Sequence, residues 1–197
     1  MLTLCLCFII PIFVSFLLAF VIVPLLHSGV RNTSTPVKHL SAPTSVLHIP
    51  KTAYEAHEIL SDYQFELFSA AVIIGLGQGY TFVMYVGGSG DGGVDTILQN
   101  AFLRRVYVQS KKYLNDGNNK VDPHDTRDFV GTLSMSNAVY GYLVTTSLLT
   151  PQARQEANNG KVRIIDAPQL DYLLQQRQRD IALAYQDVLN AVQQQEV

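Results

Sequence analysis

The chain has 197 residues, enough for one compact domain with an appendage and short for two full domains. Its 14 basic and 16 acidic residues all lie at or after Arg31, which separates a charge-free apolar start from an ordinary water-compatible remainder and excludes a multispan transporter. The formal net charge of −2 excludes a protein that holds nucleic acid by bulk positive charge, so any polyanion must meet a local patch.

Residues 2–26 form a charge-free, largely apolar run, long enough at about 1.5 Å per helical residue to cross the roughly 30 Å hydrocarbon layer of a bilayer. No Lys or Arg precedes the run, it exceeds the apolar region of a secretory signal, and no small-x-small cleavage site stands out between His27 and Val30. A membrane anchor over residues 1–30 is therefore expected rather than a cleaved signal peptide. Arg31, Lys38 and Lys51 follow the run, which places the C-terminal body of this single-pass protein on the cytoplasmic side of the cell membrane. Cys5 and Cys7 are the only cysteines and lie in the same run, so the body has neither a disulfide framework nor a cysteine zinc site.

Residues 31–50 are rich in Ser, Thr and Pro and read as a tether, with the whole linker expected to span 31–56. Thr52 with Glu55 and Ser61 with Gln64 form two capping patterns that open helices. Phe65, Phe68, Val72 and Leu76 follow at helical spacing, with Gly75, Gly77 and Gly79 closing the segment. A β-rich run at 81–86 ends in a glycine cluster at 87–93; runs at 94–99 and 104–110 read as a hairpin. A polar loop at 113–123, a helix at 124–137 and a buried-type strand at 141–147 come next. Thr150 and Pro151 then start another helix, 162–165 is a strand, and Pro168 opens a last helix. This order predicts a mixed α/β fold with helices flanking one sheet, a main domain over 57–176 and a helical extension over 177–197.

On the strand at 104–110 and just beyond, a period of two puts Arg105, Tyr107, Gln109 and Lys111 on one face, expected to point outward, and Val106 and Val108 on the other. Gln109 and Lys111 then sit about 6–7 Å apart on the same side. Asp95 begins the preceding strand, so its carboxylate can approach the Gln109 amide oxygen if the two strands pair. Two oxygen ligands beside an ammonium suit hydrolysis of a phosphodiester with Mg²⁺ or Mn²⁺, because hard oxygens hold the ion and leave water positions open. Glu66, on the preceding helix, supplies a further carboxylate. A neutral amide in place of a second strand acid weakens the hold, so substrate phosphate is expected to complete the shell.

Phe65-Glu66, the glycine cluster through Asp95, and the Gln109-x-Lys111 motif resemble the PD-(D/E)XK nuclease superfamily, and within it the Mrr-like restriction endonucleases. The resemblance runs from about residue 57 to 176, through Phe129-Val130-Gly131, the strand with Thr145 and Thr146, and the segment after Ile164. It implies a restriction-endonuclease-like central mixed sheet and a DNA endonuclease. Asp95 would be its central metal ligand, Gln109 the partner ligand, Lys111 the catalytic lysine and Glu66 the helix-borne acid. Asp91 matches the aspartate before the paired glycines and would be a further ligand. The alternative is an inactive module of the same fold that binds nucleic acid or a protein partner.

Arg104, Arg105, Lys111 and Lys112 occupy residues 100–112 with no acid among them, a local patch for double-stranded DNA. Each residue also has a plainer reading: Asp95 as a turn cap, Lys111 as a solvated edge charge, Glu66 as the wet face of its helix. Thr145 and Thr146 read either as phosphate or base contacts or simply as strand formers. In the last helix Ile181, Tyr185, Val188 and Val192 make one stripe, which either packs on its own domain or pairs with a second copy as a homodimer.

Overall fold

A computed structural model describes residues 48–88 and 92–195. The expected bilayer span at 2–26, most of the tether, and Asp91 lie outside the described residues. Among the described residues no helix is long and apolar enough to cross a membrane.

The elements run α1 (Ala53–Ile59), α2 (Asp62–Ile74), β1 (Thr81–Tyr85), β2 (Thr96–Gln99), β3 (Arg105–Lys111), α3 (Pro123–Met135), β4 (Tyr140–Thr145), α4 (Pro151–Asn159), β5 (Val162–Ile165) and α5 (Ala167–Gln195). Capping chemistry sets the helix starts. Ser61 and Gln64 close a reciprocal box at α2, whereas at α1 Thr52 caps the Glu55 amide and the Glu55 carboxylate turns to the Lys51 amide and the His48 ring. Asp122 and Thr150 cap α3 and α4, each with Pro in the first turn.

The five strands lie in the sheet in chain order. Short connections leave β1, β2 and β3 antiparallel, while α3 and α4 as crossovers make β3, β4 and β5 parallel. β3 is therefore central and belongs to both halves. Val106 and Val108 of β3 face α2 and α5 with Phe65, Phe68, Leu170, Leu174 and Ile181 in the larger core. Ile97, Tyr107 and Leu143 face the other way, onto Phe129, Leu133, Ala153 and Ala157 of α3 and α4. For Tyr107 and Gln109 this corrects the expectation that the polar row of β3 points outward: the α3–α4 layer covers them, and Gln109 is only 3% exposed, while Arg105 at the start of the strand is exposed as expected.

α5 loses helical geometry at Arg177 (φ −129°), where the C-terminal extension was expected to begin. Past the kink the helix stays in the same core: Ile181, Tyr185, Val188 and Val192 are buried, and Tyr185 meets Phe68 edge-to-face at 5.3 Å. The stripe that offered a second copy a surface is thus used within the chain. At the end of α2, a Cβ on Gly75 would lie 2.6 Å from Ile181, so this close crossing requires glycine. The Ala53 amide donates to Asp171 at 2.6 Å, so the packed body begins inside the last stretch of the expected linker. On edge strand β1 the register shifts between Phe82 and Met84, and the Gln195 amide donates to the Val83 carbonyl at 2.7 Å.

Candidate active site

Gly92 and Gly93 adopt left-handed φ values of +64° and +80° and turn the chain into β2. Asp95 sits just ahead of that strand. Its amide donates to the Val108 carbonyl at 2.9 Å, and its own carbonyl accepts from Val86 and Gly87. Its carboxylate accepts from the Ser110 amide at 2.5 Å. The acid is therefore fixed from three sides at the end of β3, one residue from Gln109, and is 8% exposed.

The Gln109 side chain packs beneath Gly93, where a Cβ would come within 2.5 Å of its Nε2. Its Oε1 is buried and has no hydrogen-bond partner. Leaving such an oxygen unsatisfied costs about 1–3 kcal/mol, a cost that a cation ligated there would remove. Among the described residues no three His, Cys, Asp or Glu side chains form a metal-holding group, so a metal would be held by a mixed set of carboxylate and amide oxygens. Those are hard ligands of the kind Mg²⁺ and Mn²⁺ take.

Lys111 ends β3. Its carbonyl accepts from the Thr145 hydroxyl at 2.6 Å and from the Thr146 amide at 3.3 Å. Its ammonium lies 2.9 Å from Asp125 on α3, and Asp125 also accepts from the Tyr113 hydroxyl at 3.1 Å. Burial pulls the lysine pKa down, but the hydrogen bond and charge of Asp125 outweigh it and hold the group above the ordinary lysine range. Lys111 walls two cavities. One of about 580 Å³ is lined by Gly92, Gly93, Gln109, Asp125, Arg127 and Thr132 among others. The second, about 210 Å³, is lined by Asp62, Phe65, Glu66, Ser110, Lys112 and Tyr113. Asp95 lines neither, and its carboxylate is buried against the Ser110 amide.

Glu66 reaches the smaller cavity from α2, and its carboxylate accepts from the Tyr85 hydroxyl at 2.7 Å. Burial and this acidic partner both push the Tyr85 hydroxyl pKa up. Gln109 and Glu66 thus approach Lys111 from the two opposite layers of the domain.

Residues 58–174 match the family model Mrr_cat, described as Restriction endonuclease. The chain belongs to that family. The type IV methyl-directed restriction enzyme EcoKMrr of Escherichia coli (strain K12) is 35% identical over 121 residues, covering 58% of this chain and 38% of that enzyme. The chain therefore spans well under half of that relative. The MspJI restriction endonuclease, solved in complex with a 27-mer oligonucleotide, has the same fold at a TM-score of 0.52 and 20% identity, over 70% of this chain and 34% of that one.

Within this family member the four basic residues of 100–112 are divided. Arg104 and Arg105 are exposed at the start of β3, about 20 Å from Lys111 at ~3.3 Å per strand residue. Lys112 donates to the carbonyls of His57 and Leu60 and pairs with Asp62 at 3.2 Å, which ties β3 to the end of α1. Thr145 and Thr146 are fully buried, and their hydroxyls bond to the carbonyls of Lys111 and Tyr113. Their work is to pin the chain that carries the lysine. Asp125, Tyr113 and Tyr85 are additions that sequence reasoning missed. An acid in the first turn of a helix is ordinary helix chemistry, and nothing in its spacing points 14 residues back to Lys111.

Proposed function

We propose that the chain is a metal-dependent endonuclease that hydrolyses phosphodiester bonds of double-stranded DNA. The observation that carries this reading is the buried, unpartnered Gln109 Oε1 at the strand end that places Lys111 at the wall of an open cleft and holds the Asp95 carboxylate through the Ser110 amide. Asp95, Gln109 and Glu66 are the residues that would hold Mg²⁺ or Mn²⁺, with Asp91 as a further candidate. A bound ion of this kind supplies an activated water and offsets phosphate charge. Lys111 binds a phosphate oxygen and stabilises the negative charge that grows as the bond to the leaving oxygen breaks. Held 2.9 Å from Asp125 at the cleft wall, the ammonium serves as a charge and a donor to the phosphate.

Arg104 and Arg105, exposed and available for phosphate, are assigned to duplex contact outside the cleft, whereas Lys112, which the sequence pattern groups with them, is committed to His57, Leu60 and Asp62. The apolar run at 2–26 supports a bilayer tether with the body on the cytoplasmic side. A homodimer would give one cut in each strand of a duplex, and its interface would lie away from the buried stripe of α5.

The test uses the full chain in mild detergent with a labelled duplex. Cutting is expected with Mg²⁺ or Mn²⁺ and lost with EDTA. Lys111→Ala is expected to slow the single-turnover rate by about 10²–10³-fold, the order found when one donor to a developing anion is removed. Duplex binding without any metal-dependent cutting would instead identify a binding module of the same fold.

A further inference from the structure

We propose that Asp125 is the positioning residue for Lys111: its carboxylate, oriented by Tyr113, holds the lysine ammonium at the wall of the larger cleft. The inference rests on the reading of Lys111 as the residue that meets the scissile phosphate. A lysine side chain is long and freely rotating, so one ending a strand at an open cleft does not stay in one place unless something holds it. Asp125 is a carboxylate in ion-pair distance of Lys111, at 2.9 Å.

The holder is itself held. One Asp125 oxygen faces the ammonium at 2.9 Å and the other takes the Tyr113 hydroxyl at 3.1 Å, so both oxygens are committed and the carboxylate plane is fixed. Lys111 and Tyr113 stand two apart in the chain, and the Thr145 and Thr146 hydroxyls clamp their carbonyls at 2.6 and 2.8 Å. Asp125 lies in the first turn of α3, whose start is fixed by the Asp122 cap. Two parallel strands and one capped helix thus locate a single nitrogen. An ammonium has three donors; one spent on Asp125 leaves two for a phosphate. Without Lys111, Asp125 would repel a polyanion from the cleft. With it, the pair enters nearly neutral and the acid steers rather than opposes.

The experiment compares the wild-type chain, Asp125→Asn, Asp125→Glu and Tyr113→Phe on duplex DNA with Mg²⁺. Asp125→Asn is expected to lower kcat by about 10- to 100-fold, the scale of a misplaced group, with KM for the duplex unchanged or lower. Asp125→Glu is expected to recover part of the loss and Tyr113→Phe to lose a few-fold. In parallel, the ¹⁵Nζ signal of Lys111 in labelled protein is expected to become as mobile as an exposed lysine in Asp125→Asn at an unchanged melting temperature. Wild-type kcat in Asp125→Asn, or equal Lys111 mobility with and without the acid, overturns the proposal. A wild-type chain that never cuts, combined with the mobility change, keeps Asp125 as the holder of Lys111 and removes the hydrolytic reading instead.

Discussion

On one face of the sheet, α2 and α5 bury Phe65, Leu67, Phe68, Leu170, Leu174 and Ile181 completely; on the other, α3 and α4 bury a smaller set and leave a cleft of about 580 Å³ beside Lys111. The first layer is shaped mainly by apolar spacing, its few polar groups paired internally, as Ser69 is to the Phe65 carbonyl and Tyr80 to Tyr140 and Tyr142. In the second, polar groups take positions that packing would otherwise fill, including a glutamine oxygen with no partner. The comparison shows the main core built on one side of the sheet and the larger cleft opened on the other, with β3 between them and Glu66 bringing a candidate ligand from the α2 side.

Phe68→Ala is the strongest way to test that separation. It removes a fully buried ring from the α2–α5 layer and is expected to cost about 3–5 kcal/mol in denaturant unfolding while the rate per folded molecule stays unchanged. A loss of rate in the folded fraction would show that the two layers are coupled. Gly93→Ala probes the opposite side: φ there is +80° and the new Cβ would press on Gln109, so about 1–2 kcal/mol of stability should go together with most of the cutting activity. Retained activity would argue against Gln109 as a ligand. Asp122→Ala removes the cap of α3 and should cost about 1 kcal/mol, with a matching rise in amide exchange in the first turn of that helix.

The smallest effect lies at the start of the body. A hydrogen bond from His48 and one from the Lys51 amide hold the Glu55 carboxyl below its ordinary pKa of 4.5. A depressed carboxyl stabilises the fold above its unfolded pKa and loses that contribution as pH falls through the folded value. Wild type should therefore lose a small increment below pH 4.5 that Glu55→Gln does not lose, read as melting temperature against pH.

Much of this was legible in the sequence. Capping residues, glycine turns and strand composition place the ten elements, and Asp95, Gln109 and Lys111 could be brought together because they lie on strands joined by a short hairpin. Other parts were not. A period of two tells which residues share a face but not whether a second layer covers it, so the Gln109 side was expected to be open. Four basic residues close in sequence look like one patch, yet a strand rises about 3.3 Å per residue and carries Arg105 far from Lys111. Asp125 is hidden for a related reason: its partner is reached by a crossover, and the contact has no local signature.

The bulge at Val83 and the amide that Gln195 lends to its carbonyl also bear on how copies of this domain behave at high concentration. An edge strand with a regular row of open backbone groups invites a neighbouring molecule to add a strand of its own. Here the last turn of the chain occupies one of those groups and the irregular register misaligns others, which protects the rim of the sheet from end-on growth into aggregates.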